Sequence, residues 1–340
     1  MRKTDEQDWW RRTGDAGKGF VYLGVNGRRL TAAATLRRIQ ALVIPPAWTD
    51  VHISPDPDRK IQVWGFDQAG RRQYRYSRGH EAARDLRKWK RVIRVARLLP
   101  LLREGTNAHL RRRKLDREKV LATVVRLMCR AYFRAGSERY AVQNRTFGVC
   151  TLAKRHVTVA GNCIVFEYSG KRSLEQRQVV ADTPLVEIIE ELQAQRGARL
   201  FKYPVGAGAK QYRPVTAAHV NRYLREILGE RCTSKDLRTF GGTVRAATIL
   251  ADIGPAKSAR EAARNVALAC NLVASELGNT PAICRKAYIH PAVLEEYEQA
   301  GRTIETVSSR HRARPGVAAE EPVGWYPEEL VLMQFLERYG

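Results

Sequence analysis

The alternation of apolar and polar positions near the start of the chain predicts short strands. The segments FVYL (20–23), IQVWGF (61–66) and RRQYRY (71–76) are typical of strands, and a DQAG turn joins the last two into a hairpin. The segment TAAATLRRIQAL (31–42) instead has the spacing of one helix. We therefore expect residues 1–83 to form a small β-rich domain.

Helical spacing dominates from residue 84 to 300, which we expect to form a second, mostly helical domain. A buried helix over 117–135 is expected to end near Gly136. Residues 156–180 predict three short strands with tight turns, and 201–216 a turn-rich break between helices. The other helices expected in this domain cover residues 184–195, 216–229, 235–252, 258–278 and 281–288. Residues 301–340 are expected to be a polar tail that ends in a helix over 326–339.

The charge of the chain narrows the choice of partner. In 340 residues, 60 Lys plus Arg stand against 35 Asp plus Glu, a formal net charge of +25. Nucleic acid is the common partner of such a chain, and an acidic membrane is disfavoured because no amphipathic anchor is evident. Residues 84–119 hold 14 Lys plus Arg against 4 Asp plus Glu. We expect them to contact phosphates, with a solvated helix face as the alternative.

Cysteine and histidine positions do not indicate a metal site. The six cysteines are scattered without CxxC or Cys/His spacing, which is typical of buried thiols in a reducing compartment. The N-terminus lacks the apolar core of a signal peptide, and no apolar run approaches ~18 residues. We expect a cytoplasmic, nucleoid-associated protein that spans no membrane and uses neither a metal nor a cofactor.

One short predicted helix carries a candidate for chemistry. Thr280 can cap it, Pro281 suits its first position, and Tyr288 lies in its last turns, with Asn279 just outside its N-terminus. A tyrosine on a helix is more often a core or surface residue than a nucleophile. Three cations elsewhere in the chain make a catalytic role for Tyr288 more plausible. They are Arg134 at the end of a helix, Lys171 at the tip of a turn, and Arg238 in a first helical turn. A helix N-terminus disfavours a cation, so Arg238 needs another reason to be there.

The segments around these residues form a series of motifs in a fixed order. Taken together, they closely resemble the small single-subunit type IB DNA topoisomerases of poxviruses and bacteria. IPPAW (44–48), the GRRQYRY hairpin and the TFGVCTLAKRHVTV segment also look like features of that family. The resemblance covers nearly all of 18–300 and does not reach the tail beyond about 301. The motifs are FRAGSERYA (133–141), SGK (169–171), KDLRTFGG (235–242) and LGNTPAICRKAY (277–288).

The resemblance implies an α+β protein whose two domains form a clamp around duplex DNA. The catalytic domain would have the tyrosine recombinase/type IB topoisomerase fold, with a three-stranded sheet. The implied activity is relaxation of supercoiled DNA without ATP or metal, through a 3′-phosphotyrosyl intermediate and strand rotation. We expect the protein to act as a monomer on double-stranded DNA.

The resemblance also implies catalytic roles. Tyr288 would be the nucleophile, Arg134 and Arg238 would hold the non-bridging oxygens, and Lys171 would be the general acid. Poxviral members carry histidine where this chain has Asn279. Asparagine can donate a hydrogen bond to a phosphate oxygen but cannot transfer a proton, so we expect an oxyanion-type role.

Further residues are expected to contact DNA. In the RRQYRY strand, Gln73 and Arg75 share one face, and both side-chain types can bind base edges in a major groove. An ordinary exposed strand with a tyrosine ladder is the alternative. The DNA-contacting residues expected overall are Gln73, Tyr74, Arg75, Tyr76, Arg84, Tyr140 and Lys235.

Two other classes of protein remain open at this stage. A tyrosine recombinase shares the Arg, Lys, Arg and Tyr constellation. Recombinases, however, typically carry histidine where Lys235 stands, and usually have a helical N-terminal domain. A non-catalytic DNA-binding protein would also account for the basic helices, and only activity distinguishes it.

Overall fold

The structure is a computed structural model that describes residues 8–206, 211–301, 303–304 and 323–339. The chain divides into two compact units, Met1–Lys88 and Trp89–Gly340. Each unit is described by itself below. None of the helices in the described part of the chain has the length and apolar character needed to traverse a lipid bilayer.

Unit 1 is built on a five-stranded antiparallel sheet with strand order β2-β1-β3-β4-β5. The predicted strands and the predicted helix are present. The first and third strands were not predicted, because they lack a regular apolar alternation. The elements are β1 (Trp10–Asp15), β2 (Gly19–Leu23), α1 (Ala33–Ala41), β3 (Thr49–Ile53), β4 (Ile61–Phe66) and β5 (Arg72–Tyr76).

The core of unit 1 lies between helix α1 and the sheet. Ile39 from the helix packs with Val51, Ile53 and Val63 from the two central strands. Burying four aliphatic side chains of this size contributes on the order of 1.5–3 kcal/mol each. This small core packs α1 against β3 and β4. The strand order leaves β5 at an edge of the sheet.

Unit 2 is mostly helical, as predicted. The helix α2 begins within unit 1 and continues into unit 2. The helices are α2 (Arg78–Arg97), α3 (Leu99–Leu110), α4 (Arg117–Ala131), α5 (Glu138–Asn144), α6 (Thr183–Ala194), α7 (Ala217–Leu228), α8 (Ser234–Ile253), α9 (Ala259–Leu277), α10 (Pro281–Ala287), α11 (Pro291–Ala300) and α12 (Pro327–Leu336).

The three strands predicted in unit 2 are β6 (Val157–Ala160), β7 (Cys163–Ser169) and β8 (Glu175–Ala181). They form an antiparallel sheet in that order. The segment predicted as a turn-rich break instead contains a hairpin of β9 (Lys202–Val205) and β10 (Gln211–Pro214). The proline and glycine residues of that segment are typical of turns, so its sequence did not predict strands.

Helix α4 ends earlier than predicted. Its last helical residue is Ala131, and Tyr132 takes the left-handed conformation with φ 53° and ψ 35°. The Tyr132 ring lies against Gly241 of α8, where an added Cβ would be 2.2 Å from Tyr132 Cε1. The expected end near Gly136 is therefore wrong, because a tertiary contact ends the helix first. Arg134 consequently lies on extended chain, and its carbonyl accepts a hydrogen bond from the Val149 N–H.

The terminal helix α12 packs onto the body of unit 2, and its predicted first residue, Pro327, is confirmed. Leu332 and Leu336 are buried there. Arg103 of α3 donates to both carboxylate oxygens of Glu329, each at 2.8 Å. A buried, bidentate ion pair of this kind fixes the direction in which α12 lies.

Candidate active site

Arg238 lies near the start of α8, and its side chain is only 5% exposed. Its guanidinium donates to the carbonyl of Tyr132, beyond the last turn of α4, and to the carbonyl of Leu277, the last residue of α9. Helix C-termini carry partial negative charge from carbonyls that have no intrahelical partner. The ends of two other helices therefore explain why a cation occupies the first turns of α8.

Arg134 binds the same helix end. Its Nη2 donates to the Gly278 carbonyl at 2.8 Å and to the Asn279 Oδ1 at 2.6 Å. The two arginines thus hold successive carbonyls, those of residues 277 and 278, at the C-terminus of α9. The negative end of one helix brings two guanidinium groups together despite their like charge.

Asn279 follows α9 directly and is placed by its backbone. Its N–H donates to the Ala274 carbonyl at 2.9 Å, and Gly278 before it has φ 56°, as helix-ending glycines often do. While Oδ1 accepts from Arg134, the buried Nδ2 has no oxygen or nitrogen acceptor within the described part of the chain and lies beside the weakly accepting Cys284 thiol. The Asn279 amide therefore has a donor left over beside two arginines.

Tyr288 is the residue that ends α10. Thr280 caps the start of this helix as predicted, accepting from the Ile283 N–H, and Pro281 holds its first position. The Tyr288 side chain is half-buried, and its ring centroid is 5.3 Å from the Arg238 Cζ. Its carbonyl accepts from the Thr243 Oγ1 at 3.2 Å, which ties α10 to α8. The phenol is thus held beside a buried guanidinium.

The surroundings of Arg238 lower its pKa to about 10. Burial is the main cause, the nearby charge of Arg134 adds to it, and Tyr288 opposes both. At neutral pH the group still carries its positive charge. The Nε of Arg238 is buried and has no hydrogen-bond partner among the described residues. The Nε of Arg238 is therefore a second buried donor of the candidate active site without an oxygen or nitrogen acceptor among the described residues, in addition to the Nδ2 of Asn279.

Tyr168 belongs to this neighbourhood and was missed from the sequence. It lies on β7 and is 6% exposed, and burial raises its pKa to about 12. A hydrogen bond with Gln178 and the charges of Arg238 and Arg134 oppose that rise. The buried face of β7 carries Ile164, Phe166 and Tyr168 in alternation. That period of two was the available signal that Tyr168 points inward.

Lys171 is at the tip of the β7–β8 hairpin, as predicted. Its side chain is exposed, and the next two residues, Arg172 and Ser173, have positive φ values of 65° and 56°. Within the described residues, no hydrogen bond or ion pair joins Lys171 to the other candidates. The structure therefore brings together Arg134, Arg238, Asn279 and Tyr288, and leaves Lys171 on a separate turn.

The candidate DNA-contacting strand of unit 1 has the predicted two faces. Tyr74 and Tyr76 stack with ring centroids 6.2 Å apart. Gln73 donates to the Asp67 Oδ2 at 2.9 Å, and Arg75 donates to the Val43 carbonyl at 2.8 Å. Arg84 of α2 lies over the Tyr76 ring at 5.8 Å. Gln73 and Arg75 would have to exchange these contacts to read bases.

The two candidate DNA contacts in unit 2 are on the surface. Tyr140 on α5 is 46% exposed, which is unusual for a tyrosine with an ordinary core role. Lys235 is exposed in the first turn of α8, three residues before Arg238. Both side chains are accessible to a large ligand.

The basic stretch 84–119 is less available than its composition indicated. Several of its arginines form ion pairs with acidic residues from distant parts of the chain, which the local count could not reveal. Much of the local excess is therefore neutralised within the fold, and only part of this stretch is free for phosphates. The pairs are Arg91–Asp236, Arg94–Glu230, Arg97–Glu337, Arg103–Glu329 and Arg117–Glu226.

Comparison with known proteins assigns the chain to a protein family. Residues 77–314 match the catalytic core of eukaryotic DNA topoisomerase I, and residues 19–67 match the N-terminal domain of bacterial DNA topoisomerase IB. The chain therefore belongs to the DNA topoisomerase I family. It is a type IB DNA topoisomerase, an isomerase that acts on DNA, as the sequence motifs predicted. The match continues past residue 301, where the motifs alone had found none.

Individual relatives agree with that assignment. DNA topoisomerase 1B of Acanthamoeba polyphaga mimivirus is 28% identical over 288 residues, covering 83% of this chain and 86% of the relative. DNA topoisomerase 1B of Vaccinia virus (strain Copenhagen) is 25% identical over 271 residues, covering 76% and 80%. Among solved structures, a complex of the XerH site-specific recombinase with its difH substrate has a TM-score of 0.34 at 12% identity. It covers 55% of this chain, which spans 48% of that one. This likeness is too low to bear on function.

Proposed function

We propose that this chain relaxes supercoiled duplex DNA by breaking one strand, holding it on Tyr288, and rejoining it. Membership of the family supports DNA relaxation as the activity. The observation that carries the finer proposal is the pair of buried, unused donors, Arg238 Nε and Asn279 Nδ2, beside Arg134 and the Tyr288 ring. Buried polar groups without partners are rare and costly, and donors of this kind beside two guanidinium groups favour binding of an anion such as a phosphate.

In the cleavage step, the Tyr288 oxygen attacks a backbone phosphorus. A bond forms between the phenolic oxygen and phosphorus, and the bond from phosphorus to the 5′-oxygen breaks. Tyr288 gives up its proton to solvent water, and the leaving 5′-oxygen takes one from Lys171. The product is a 3′-phosphotyrosyl link and a free 5′-hydroxyl, and rejoining is the same step in reverse.

Arg134 and Arg238 stabilise the transition state of that step. The phosphorus becomes pentacoordinate, and negative charge builds on its two non-bridging oxygens. Guanidinium groups suit this charge because they are positive at any working pH and donate in fixed directions. Their hydrogen bonds to the end of α9 place them before DNA arrives, so little reorganisation is needed.

Asn279 adds a neutral donor to the same oxygens. Its amide is oriented by the 2.6 Å hydrogen bond from Arg134 to Oδ1, which leaves Nδ2 to donate. An amide cannot transfer a proton, so Asn279 acts by hydrogen bonding alone.

Lys171 supplies the proton to the leaving 5′-oxygen. It lies on an exposed hairpin turn and makes no hydrogen bond to the other four groups among the described residues, so its side chain can turn toward a bound phosphate. Bound DNA provides the reason for that movement, since its phosphates attract the ammonium group. An ammonium group placed beside the leaving oxygen can then donate its proton to it.

Neither a metal nor ATP has a necessary part in this scheme. The guanidinium groups supply the charge stabilisation that a metal ion gives in other phosphoryl transfers. The energy of the broken phosphodiester is kept in the phosphotyrosyl link and returned on rejoining. The duplex beyond the break can rotate in between, which releases supercoils.

We further propose that both units contact the duplex. In unit 1 the contacts are made by Gln73, Tyr74, Arg75, Tyr76 and Arg84. In unit 2, Tyr140 and Lys235 contribute. The protein would act as a monomer in the cytoplasm at the nucleoid.

Plasmid relaxation tests the proposal. The purified protein should relax supercoiled plasmid in EDTA without ATP, and Tyr288→Phe should abolish relaxation while DNA binding persists. Tyr212→Phe is a matched control, because Tyr212 is a partly exposed tyrosine of β10 outside the candidate active site. Absence of relaxation by the wild type would defeat the proposal, and site-specific joining of two duplexes would favour a recombinase instead.

A further inference from the structure

A basic cavity of about 370 Å³ lies between the end of α3, the start of α4 and the start of α6. The exposed residues Arg111, Arg112 and Arg113 contribute to its lining, as does the buried Arg126. None of the lining residues belongs to the candidate active site. Residues 111–113 belong to the basic stretch 84–119, and the fold places their side chains on the wall of a cavity.

Arg126 is the residue that makes this cavity unusual. It is 1% exposed, and its Nε donates to the Asp182 Oδ2 at 2.7 Å. Its Nη1 makes a long contact of 3.4 Å with the Asn107 Oδ1, and its Nη2 has no hydrogen-bond partner among the described residues. A buried guanidinium N–H without an acceptor is costly, because it has lost its hydrogen bonds to water without gaining others. The cavity therefore contains a charged donor that lacks an acceptor.

The charges around Arg126 are also unbalanced. Asp182 is the carboxylate nearest to it, and the same Asp182 oxygen is 3.8 Å from the Arg130 Nε. One carboxylate thus lies between two guanidinium groups. Around the cavity wall, the cations outnumber the carboxylates, even though Arg112 pairs with Asp116 and Lys119 lies near Glu191. The charged lining residues are Arg111, Arg112, Arg113, Lys119, Arg126, Glu187 and Glu191.

We propose that this cavity binds a compact phosphate-bearing small molecule. Several guanidinium groups on one cavity provide the multiple, charge-assisted donors that phosphate oxygens accept. The volume is at the lower end of the usual range for ligand pockets, about 300–1,000 Å³. Duplex DNA does not fit the description, because a duplex is far wider than a cavity of about 370 Å³ and could touch only its exposed rim.

Calorimetric titration with inorganic pyrophosphate, in metal-free buffer, tests the proposal. The wild type should bind one equivalent, and Arg113→Gln should weaken binding about tenfold, the effect of losing one charge-assisted hydrogen bond. Lys114→Gln is the matched control, because Lys114 is an equally exposed neighbouring cation that does not line the cavity. It should leave the affinity within about twofold of the wild type.

Two further variants assign the binding to this cavity. Arg126→Met should abolish pyrophosphate binding, with a melting curve to establish that the variant folds. Arg134→Gln removes a cation of the candidate active site and should leave pyrophosphate binding unchanged. Arg113→Gln remains decisive if Arg126→Met fails to fold.

Other results would overturn the proposal. These are absence of pyrophosphate binding, equal weakening by Arg113→Gln and Lys114→Gln, or loss of binding in Arg134→Gln. A cavity that serves DNA would show itself differently, since Arg113→Gln would then weaken duplex binding and the wild type would not bind pyrophosphate.

Discussion

Replacing Asn279 by aspartate separates two roles that the structure gives to this residue. Its Oδ1 accepts from the Arg134 Nη2 at 2.6 Å, and its buried Nδ2 has no oxygen or nitrogen acceptor among the described residues. Aspartate keeps an acceptor for Arg134 but replaces the free donor with a negatively charged oxygen. If Asn279 served only to orient Arg134, aspartate would preserve the rate of DNA cleavage.

The size of the expected effect follows from the donor that is lost. A hydrogen bond to a charged group is worth about 1.5–3 kcal/mol, which corresponds to a roughly 10- to 150-fold change in rate. We expect Asn279→Ala to slow cleavage about ten- to several-hundred-fold, in line with the loss of other oxyanion donors. For Asn279→Asp a like charge about 4 Å from the phosphate adds on the order of 4 kcal/mol at an effective dielectric of about 20. Aspartate should therefore be the slower of the two.

Single-turnover cleavage of a duplex that releases a short fragment after breakage measures this rate directly. The covalent protein–DNA adduct is followed on a denaturing gel, and melting curves verify that the variants fold. Asn279→His should retain activity, because imidazole can also donate to the oxygen. Cleavage by Asn279→Asp at close to the wild-type rate would refute the donor role and leave only the orientation of Arg134. Normal cleavage by Asn279→Ala would refute both roles.

Three other changes follow from the same structure. Arg238→Lys should slow cleavage roughly 100-fold or more, because one ammonium cannot bind two helix ends and a phosphate in fixed directions; a rate near that of the wild type would contradict this. Gly242→Ala should slow cleavage and leave DNA binding intact, since the added Cβ would lie 2.9 Å from the Tyr288 carbonyl oxygen; equal losses of both would show a general folding defect. Glu329→Gln should lower the free energy of unfolding by about 3 kcal/mol in urea titration, because it leaves Arg103 buried without its anion; an unchanged midpoint would show that the pair adds no stability.

Local sequence patterns were sufficient for most elements near the site. The helix of Tyr288 was predicted from Thr280 and Pro281, because caps act through bonds within a single turn. The hairpin that presents Lys171 was predicted from the period of two in its strands. The pairing of residues 202–205 with 211–214 was not, because the strands are short and strand partners are chosen by packing.

The chain order of Arg134, Lys171, Arg238, Asn279 and Tyr288 is a property of the sequence, and with the motifs around them it indicated the family. The arrangement of these residues in space cannot be read from the sequence. The sequence could not reveal that one helix end binds both arginines, because that depends on carbonyls 277 and 278 meeting side chains from residues far away in the chain. Neither could it reveal that Arg126 is buried in a basic cavity, or that distant carboxylates neutralise much of the stretch 84–119. Charge and motif are local in the chain, whereas burial and pairing are set only when distant segments pack together.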